Sequence, residues 1–318
     1  MKINTCILAV LLPALVVSCK VDDPALGKDA PIDVVVGVVD TRAGYSGTAV
    51  LPDAFVMDIT QNALPKYDYR NVMMVREEGT NSYAPEADID MLWADDARNN
   101  LSVKAMTVPY GLASVDAESP MILSVAPDQR DEDDVLASDL LVCTSANEGD
   151  VEVSRNFINL RFRHLLTKLE ISYKFGAGID PGKVTFNSVT LSNICVSGGF
   201  AYSSMSFDNS ISYGYGDVQM LNDEDESTLE AIFFPYVPSE KPKLVVDITV
   251  AGENRLLACE ISPKSASGFE AGKRYTMSVT IQNNNISTSS VGISSGWNSG
   301  TVNPGTGIGS NDKTFETE

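Results

Sequence analysis

The stretch Lys168-Leu169-Glu170-Ile171-Ser172-Tyr173-Lys174-Phe175 alternates polar and apolar residues without a break. Successive side chains of a strand point to opposite faces. The pattern therefore sets Leu169, Ile171, Tyr173 and Phe175 towards a core, and Lys168, Glu170, Ser172 and Lys174 towards water. The same period recurs in Tyr275, Met277, Val279 and Ile281, and again in Leu244, Val246, Ile248 and Val250. Shorter candidates run over 32–39, 101–108, 121–125, 140–144, 157–163, 184–191 and 229–236. Clusters such as Gly176-Ala177-Gly178-Ile179-Asp180-Pro181-Gly182 separate them and carry turn chemistry. No long stretch has a convincing 3.6-residue period. Many short, half-buried strands without intervening helices predict an all-β chain of antiparallel sandwiches or barrels.

The chain has 318 residues, which suggests two domains. The acidic loop Asp128 to Asp134 and the polar turn Asn147-Glu148-Gly149-Asp150 predict a division near residue 155. This gives one domain over 32–155 and another over 156–298. Residues 299–318 are rich in Gly, Asn, Ser and Thr, which predicts a flexible tail. Lys and Arg total 23 against 43 Asp and Glu, a net charge of −20. That excess repels phosphate backbones and anionic headgroups, so nucleic acid is excluded as a partner.

The opening residues carry an address. Lys2 provides a positive start, Ile7 to Val17 an apolar run, and Val16-Val17-Ser18-Cys19 a small-residue cleavage site. The run is short of the ~20 apolar residues that a membrane span requires, so 1–18 reads as a signal peptide cut between Ser18 and Cys19. The cysteine resembles that of a bacterial lipobox, which predicts acylation at Cys19 and a lipidated linker over 19–31. Lys20-Val21-Asp22-Asp23 resembles an export tag for the outer face of the outer membrane. Cys143, Cys195 and Cys259 remain, all in strand-like runs and without CxxC spacing. They read as small buried hydrophobes, with one disulfide and a spare thiol as the alternative.

Equipment for catalysis is missing from the motifs. His164 is the one histidine, too few for a His-rich zinc site or a second triad, and it reads as a structural residue bonded to the backbone. There is no phosphate-cradling GxxxxGK[ST] loop and no Gly-x-Ser-x-Gly elbow. The chain is therefore read as no enzyme, with no cofactor and no metal. The acidic runs Asp131 to Asp134 and Asp223 to Glu226 lack EF-hand spacing and read as solvated loops, with calcium as the alternative. The stretch from Tyr202 to Tyr215 interleaves aromatics with Ser and Gly, and reads as a hairpin or as an adhesive loop holding glycan.

The order of several pieces resembles the fimbrillin family, the pilus subunits and associated lipoproteins of Gram-negative gut and oral bacteria. Asp40-Thr41-Arg42-Ala43 follows a first apolar strand, and Asn71-Val72-Met73-Met74-Val75 precedes a lone Trp93 and Leu101-Ser102-Val103-Lys104-Ala105. Phe162-x-His164-Leu165-x-Thr167-Lys168-Leu169 is the most family-like stretch. Phe269-x-Ala271-Gly272-Lys273-Arg274-Tyr275 then leads into the last alternating strand, with Trp297 beyond. The resemblance implies two tandem transthyretin-like sandwich domains and a pilus subunit. It also implies cleavage after an arginine near the start, here between Arg42 and Ala43. Val34, Val36 and Val38 form one face of the strand that would then leave, its place taken by a strand of another subunit. The tail offers little alternating apolar sequence to serve as a donor, so a tip, accessory or anchor subunit is favoured over a stalk subunit. A stand-alone surface lipoprotein binding glycan or a host or bacterial surface ligand is the alternative.

Overall fold

A computed structural model describes residues 28–37, 42–43, 49–61, 64–95, 101–116, 118–154, 156–263, 267–289, 291–294 and 297. The described chain is almost entirely β-strand. A nine-stranded sheet runs, in spatial order, through Val151–Ser154, Phe157–Leu160, Asp33–Val36, Ser82–Pro85, Tyr69–Arg76, Ala54–Gln61, Leu101–Met106, Leu141–Thr144 and Arg163–His164. Its two ends meet through the short turn between Leu141–Thr144 and Val151–Ser154. There the Asp150 carboxylate accepts the Thr144 amide at 3.2 Å and lies 3.4 Å from the Arg163 guanidinium. The sheet thus wraps one face around a core that includes Phe55, Met57, Ile59, Trp93, Cys143 and Leu160. Phe55 holds this core from both sides, with its ring 4.9 Å from Tyr83 and 5.1 Å from Phe162.

Two further sheets make a sandwich. One orders Leu221–Asp223, Thr228–Phe233, Thr167–Phe175, Arg274–Ile281 and Ile286–Thr288, with Gly292–Ser294 also on Arg274–Ile281. The other is built on Val184–Ala201, which pairs with Lys243–Val250, Gly214–Gln219, Ser206–Phe207 and Met121–Ser124; Glu253–Glu260 extends it beyond Lys243–Val250. Leu169, Ile171, Tyr275 and Val279 face Leu244, Val246 and Ile248 across the resulting core. The alternation in the sequence therefore finds its core as expected.

Elsewhere the structure departs from expectation in ways that have physical causes. The nine-stranded sheet extends beyond residue 155 and takes in Phe157–Leu160 and Arg163–His164, while Met121–Ser124 crosses to the other half. The other face of the nine-stranded sheet offers Val56, Met106 and Val142 to the larger core, so the two halves share apolar contacts. Two ladders are parallel: Asp33–Val36 on Phe157–Leu160, and Thr167–Phe175 on Arg274–Ile281. Both join segments far apart in sequence, a relation that local alternation does not encode.

The acidic run expected as a loop enters a helix, Glu132–Ser138, with Glu132, Asp133 and Asp134 in its first turn. Carboxylates there meet the positive end of the helix dipole, and seven residues are too few for a helical period to show. Lys168, expected in water, is 3% exposed and pairs with Glu230 at 2.8 Å. Burial pushes the Glu230 carboxyl above its ordinary value while Lys168 pulls against that shift.

Replacing Lys168 by Met should leave the Glu230 carboxylate without its counter-ion and cost about 3–5 kcal/mol, read as a lowered urea midpoint. The double variant K168M/E230L should recover most of that loss.

Candidate functional site

The first strand, Asp33–Val36, sits inside its sheet and not at an edge. Its partners are Phe157–Leu160 on one side and Ser82–Pro85 on the other, in the registers Val34↔Ile158, Val36↔Leu160 and Val34↔Tyr83. Further amide bonds tie it down at both ends. The Asp33 amide donates to the Asn156 carbonyl, Val36 to Asn81 and Gly37 to Leu160, at 2.9–3.0 Å. Gly37 is pressed so close to Asn159 that a Cβ there would lie 2.8 Å from its Oδ1.

Val34 and Val36 are each 1% exposed and face the wrapped core, while Val35 is half-buried on the opposite side. Two of the three sequence-selected valines therefore share one buried face. Ser18, Cys19 and Val38 lie outside the described residues. Of Arg42 and Ala43 only the backbone is described, paired antiparallel with Val50 and Ala49.

The buried face of the strand begins earlier than Val34. Ala30 and Ile32 are buried in the same core and extend the inward set at intervals of two. The alternation of Ala30, Ile32, Val34 and Val36 was the available signal, interrupted only by Pro31. Trp93, fully buried, explains why a proline is tolerated there. The Trp93 amide donates to the Ala30 carbonyl, and the Asp29 amide to the Trp93 carbonyl, both at 2.9 Å. The Ile32 amide reaches Met91, and Pro31, which has no amide, is not asked to donate.

Ahead of this, Asp29 is clasped. The Tyr67 hydroxyl donates to its carboxylate at 2.7 Å, and Lys66 lies 3.4 Å away. These contacts hold the Asp29 carboxyl below the usual carboxylate range, the Tyr67 bond being the larger cause. A cleft of about 440 Å³ runs beside the strand, bordered by Ile32, Tyr83, Met91 and Phe157.

The remaining candidate residues serve the frame. His164 is buried, and its Nδ1 lies 3.0 Å from the Asp139 carboxylate. Its ring stacks on Trp297 with centroids 4.0 Å apart. Gly272 passes so near that a Cβ would come within 2.8 Å of the His164 carbonyl, and its φ of +68° is one that glycine adopts without strain.

Cys143, Cys195 and Cys259 are unpaired, and burial pushes their thiols up to about 12, 12 and 11. Among the described residues no three His, Cys, Asp or Glu side chains gather as a metal site. Asp223 instead accepts the amides of Asp225 and Glu226 to close a turn. Nor is any described helix long and apolar enough to cross a membrane. The aromatic run divides: Tyr202 is buried beside Asp58, whereas Tyr215 is 51% exposed.

A strand held between sequence-distant partners, with a core behind it, sets this molecule beside known proteins. The model of the family described as fimbrillin-like matches residues 41–297. The chain belongs to the fimbrillin-like family. Among solved structures, this fimbrillin-like chain is similar to a putative cell adhesion protein from Bacteroides uniformis, with a TM-score of 0.61 at 15% identity. The match covers 85% of this chain and 99% of that one. A second putative cell adhesion protein, from Bacteroides ovatus, gives a TM-score of 0.55 at 16% identity, covering 83% and 97%. No curated protein matches the sequence. At such identities the likeness carries the fold, and the fimbrillin-like fold is all-β here as the alternation predicts.

Val34→Ala and Val36→Ala should each cost about 2 kcal/mol in chemical denaturation, from lost methyl burial plus the cavity left behind. Val35→Ala, on the half-buried side, should cost well under half of that. Tyr67→Phe should speed hydrogen exchange at the Ile32 and Trp93 amides relative to the rest of the sheet.

Proposed function

We propose that this chain is a surface pilus subunit that joins its neighbours by strand exchange. The placement of Asp33–Val36 as an interior strand, bonded on both sides and buried on one face, carries the reading. Withdrawing it would bare two ladders at once and a groove lined by Ile158, Leu160 and Tyr83. Bared edges and apolar grooves are what another chain's strand completes. Each valine returned to water costs roughly 1.5–3 kcal/mol, so the emptied slot would strongly favour an incoming strand with the same alternation.

The chain reaches the outer membrane as a lipoprotein acylated at Cys19 after cleavage behind Ser18. Proteolysis between Arg42 and Ala43 then separates the first strand from the body. Tip, accessory or anchor positions suit it better than the stalk, because residues 299–318 offer few alternating apolar side chains to donate. An anchor would keep its lipid and its first strand, and a tip would lose both.

Mass spectrometry of fibres sheared from cells reads the position directly. A mature N-terminus at Ala43 is expected for an incorporated tip or accessory subunit, and Arg42→Ala should hold the chain in its Cys19 form. Acylated Cys19 alone in fibres would assign the anchor position. Absence of the chain from fibres in both backgrounds would refute a pilus role.

A further inference from the structure

Away from the first strand, an open cleft of about 580 Å³ lies at one end of the sheet built on Val184–Ala201. A bulge in that strand makes it. The register against Gly214–Gln219 shifts between Leu191 and Ile194, and Asn193 takes a left-handed φ of +62°. Bulges re-aim the side chains around them, and asparagine is among the few residues that occupy this region readily. Here the Asn193 amide donates to Asp217 at 3.1 Å and its side chain approaches Glu240 at 3.4 Å. The distorted backbone is thereby fixed, with carboxylates on either side of it.

Tyr215 forms the one flat apolar surface of the cleft. The exposed face of its strand carries Tyr215 and Asp217 side by side, and the ring stands half open to solvent there. Ser197 approaches Gly214 so closely that any Cβ there would collide with its hydroxyl. Behind the ring stands Tyr236, edge-on at 5.7 Å, with its hydroxyl donating to the Asn193 carbonyl at 3.3 Å. The half-exposed tyrosine is therefore held in place by a second, buried tyrosine that is tied to the bulge. Around it, Lys241 is engaged by Glu260 at 2.7 Å, whereas Lys243 lines the cleft in no salt bridge among the described residues.

The lining selects a chemistry. Three carboxylates and two ammonium groups oppose any ligand of one strong charge. There is no apolar hole to take a hydrophobic side chain. A braced aromatic face ringed by both donors and acceptors suits a molecule that is apolar on one face and hydroxylated around its rim. We propose that this cleft binds a neutral saccharide, with one pyranose ring lying on Tyr215 and its hydroxyls reaching Asp217, Glu240 and Lys243. This site is separate from the strand slot and does not depend on pilus assembly.

The test is binding of the purified full chain to an array of neutral and acidic oligosaccharides, followed by saturation-transfer NMR on the best neutral ligand. At least one neutral oligosaccharide should bind the parent protein. Tyr215→Ala should weaken it tenfold or more with an unchanged melting temperature, and Tyr215→Phe should retain it. Leu256→Ala, an exposed apolar residue on another strand of the same sheet and outside the cleft, should leave binding intact. The proposal is overturned if no neutral saccharide binds, or if Tyr215→Ala binds like the parent. It is overturned equally if only acidic oligosaccharides bind and Lys243→Ala, not Tyr215→Ala, abolishes their binding.

Discussion

The nine-stranded sheet is continuous because one short segment bridges two strands that share no ladder of their own. Asp33–Val36 lies between Ser82–Pro85 and Phe157–Leu160, and neither of those pairs with the other. Backbone groups inside a protein must be bonded somewhere, and a sheet interrupted at this point would leave two rows of them open beside an apolar core. The wrapping of the sheet, the seclusion of Trp93 and the seating of Phe162 against Phe55 all follow from that bridge. Its parallel ladder to Phe157–Leu160 spans more than a hundred residues of chain, so it contributes a contact that local sequence does not enforce.

The second half is joined to the first by more than a linker. Met121–Ser124 leaves the first half to pair with Gly198 and its neighbours. Just beyond it, the fully buried Gln129 is bonded like a piece of strand: its side chain donates to the carbonyls of Ala126 and Ile232 and accepts the Ile232 amide. A buried amide with every bond made fixes position far better than apolar contact alone. Val56, Met106 and Val142 complete the joint from the outer face of the nine-stranded sheet.

Much of this was legible from residues alone. The alternation in 168–175, 244–250 and 275–281 marked strands and the faces that are buried, and Val34, Val36 and Val38 were placed on one strand face, of which Val34 and Val36 are described and buried. What escaped was long-range or was hidden by composition. Lys168 reads as a solvent residue because Glu230, which makes its burial tolerable, sits on the neighbouring strand two residues from its register partner Ile232. Glu132–Ser138 is too short and too acidic to show a period. Tyr202 and Tyr215 sit in one aromatic run, yet one is enclosed and the other open, because Tyr202 meets Asp58 on the first sheet. Ala30 carried the right spacing ahead of the strand expected from Ile32, and Pro31 between them obscured it. His164 was recognised as structural, but its partner Asp139 lies 25 residues back and leaves no local trace.

The eighteen-residue strand Val184–Ala201 has a consequence of its own. Four other strands are laddered to it, at successive levels along its length. Tension applied along its axis acts at right angles to those hydrogen bonds, so they must fail together in shear and cannot peel apart singly. Such a strand behaves as a tie-rod through the second half of the molecule. Pulling across it, at the two-residue ladder with Ser206–Phe207, would meet far less resistance, so the body has a strong and a weak direction under load.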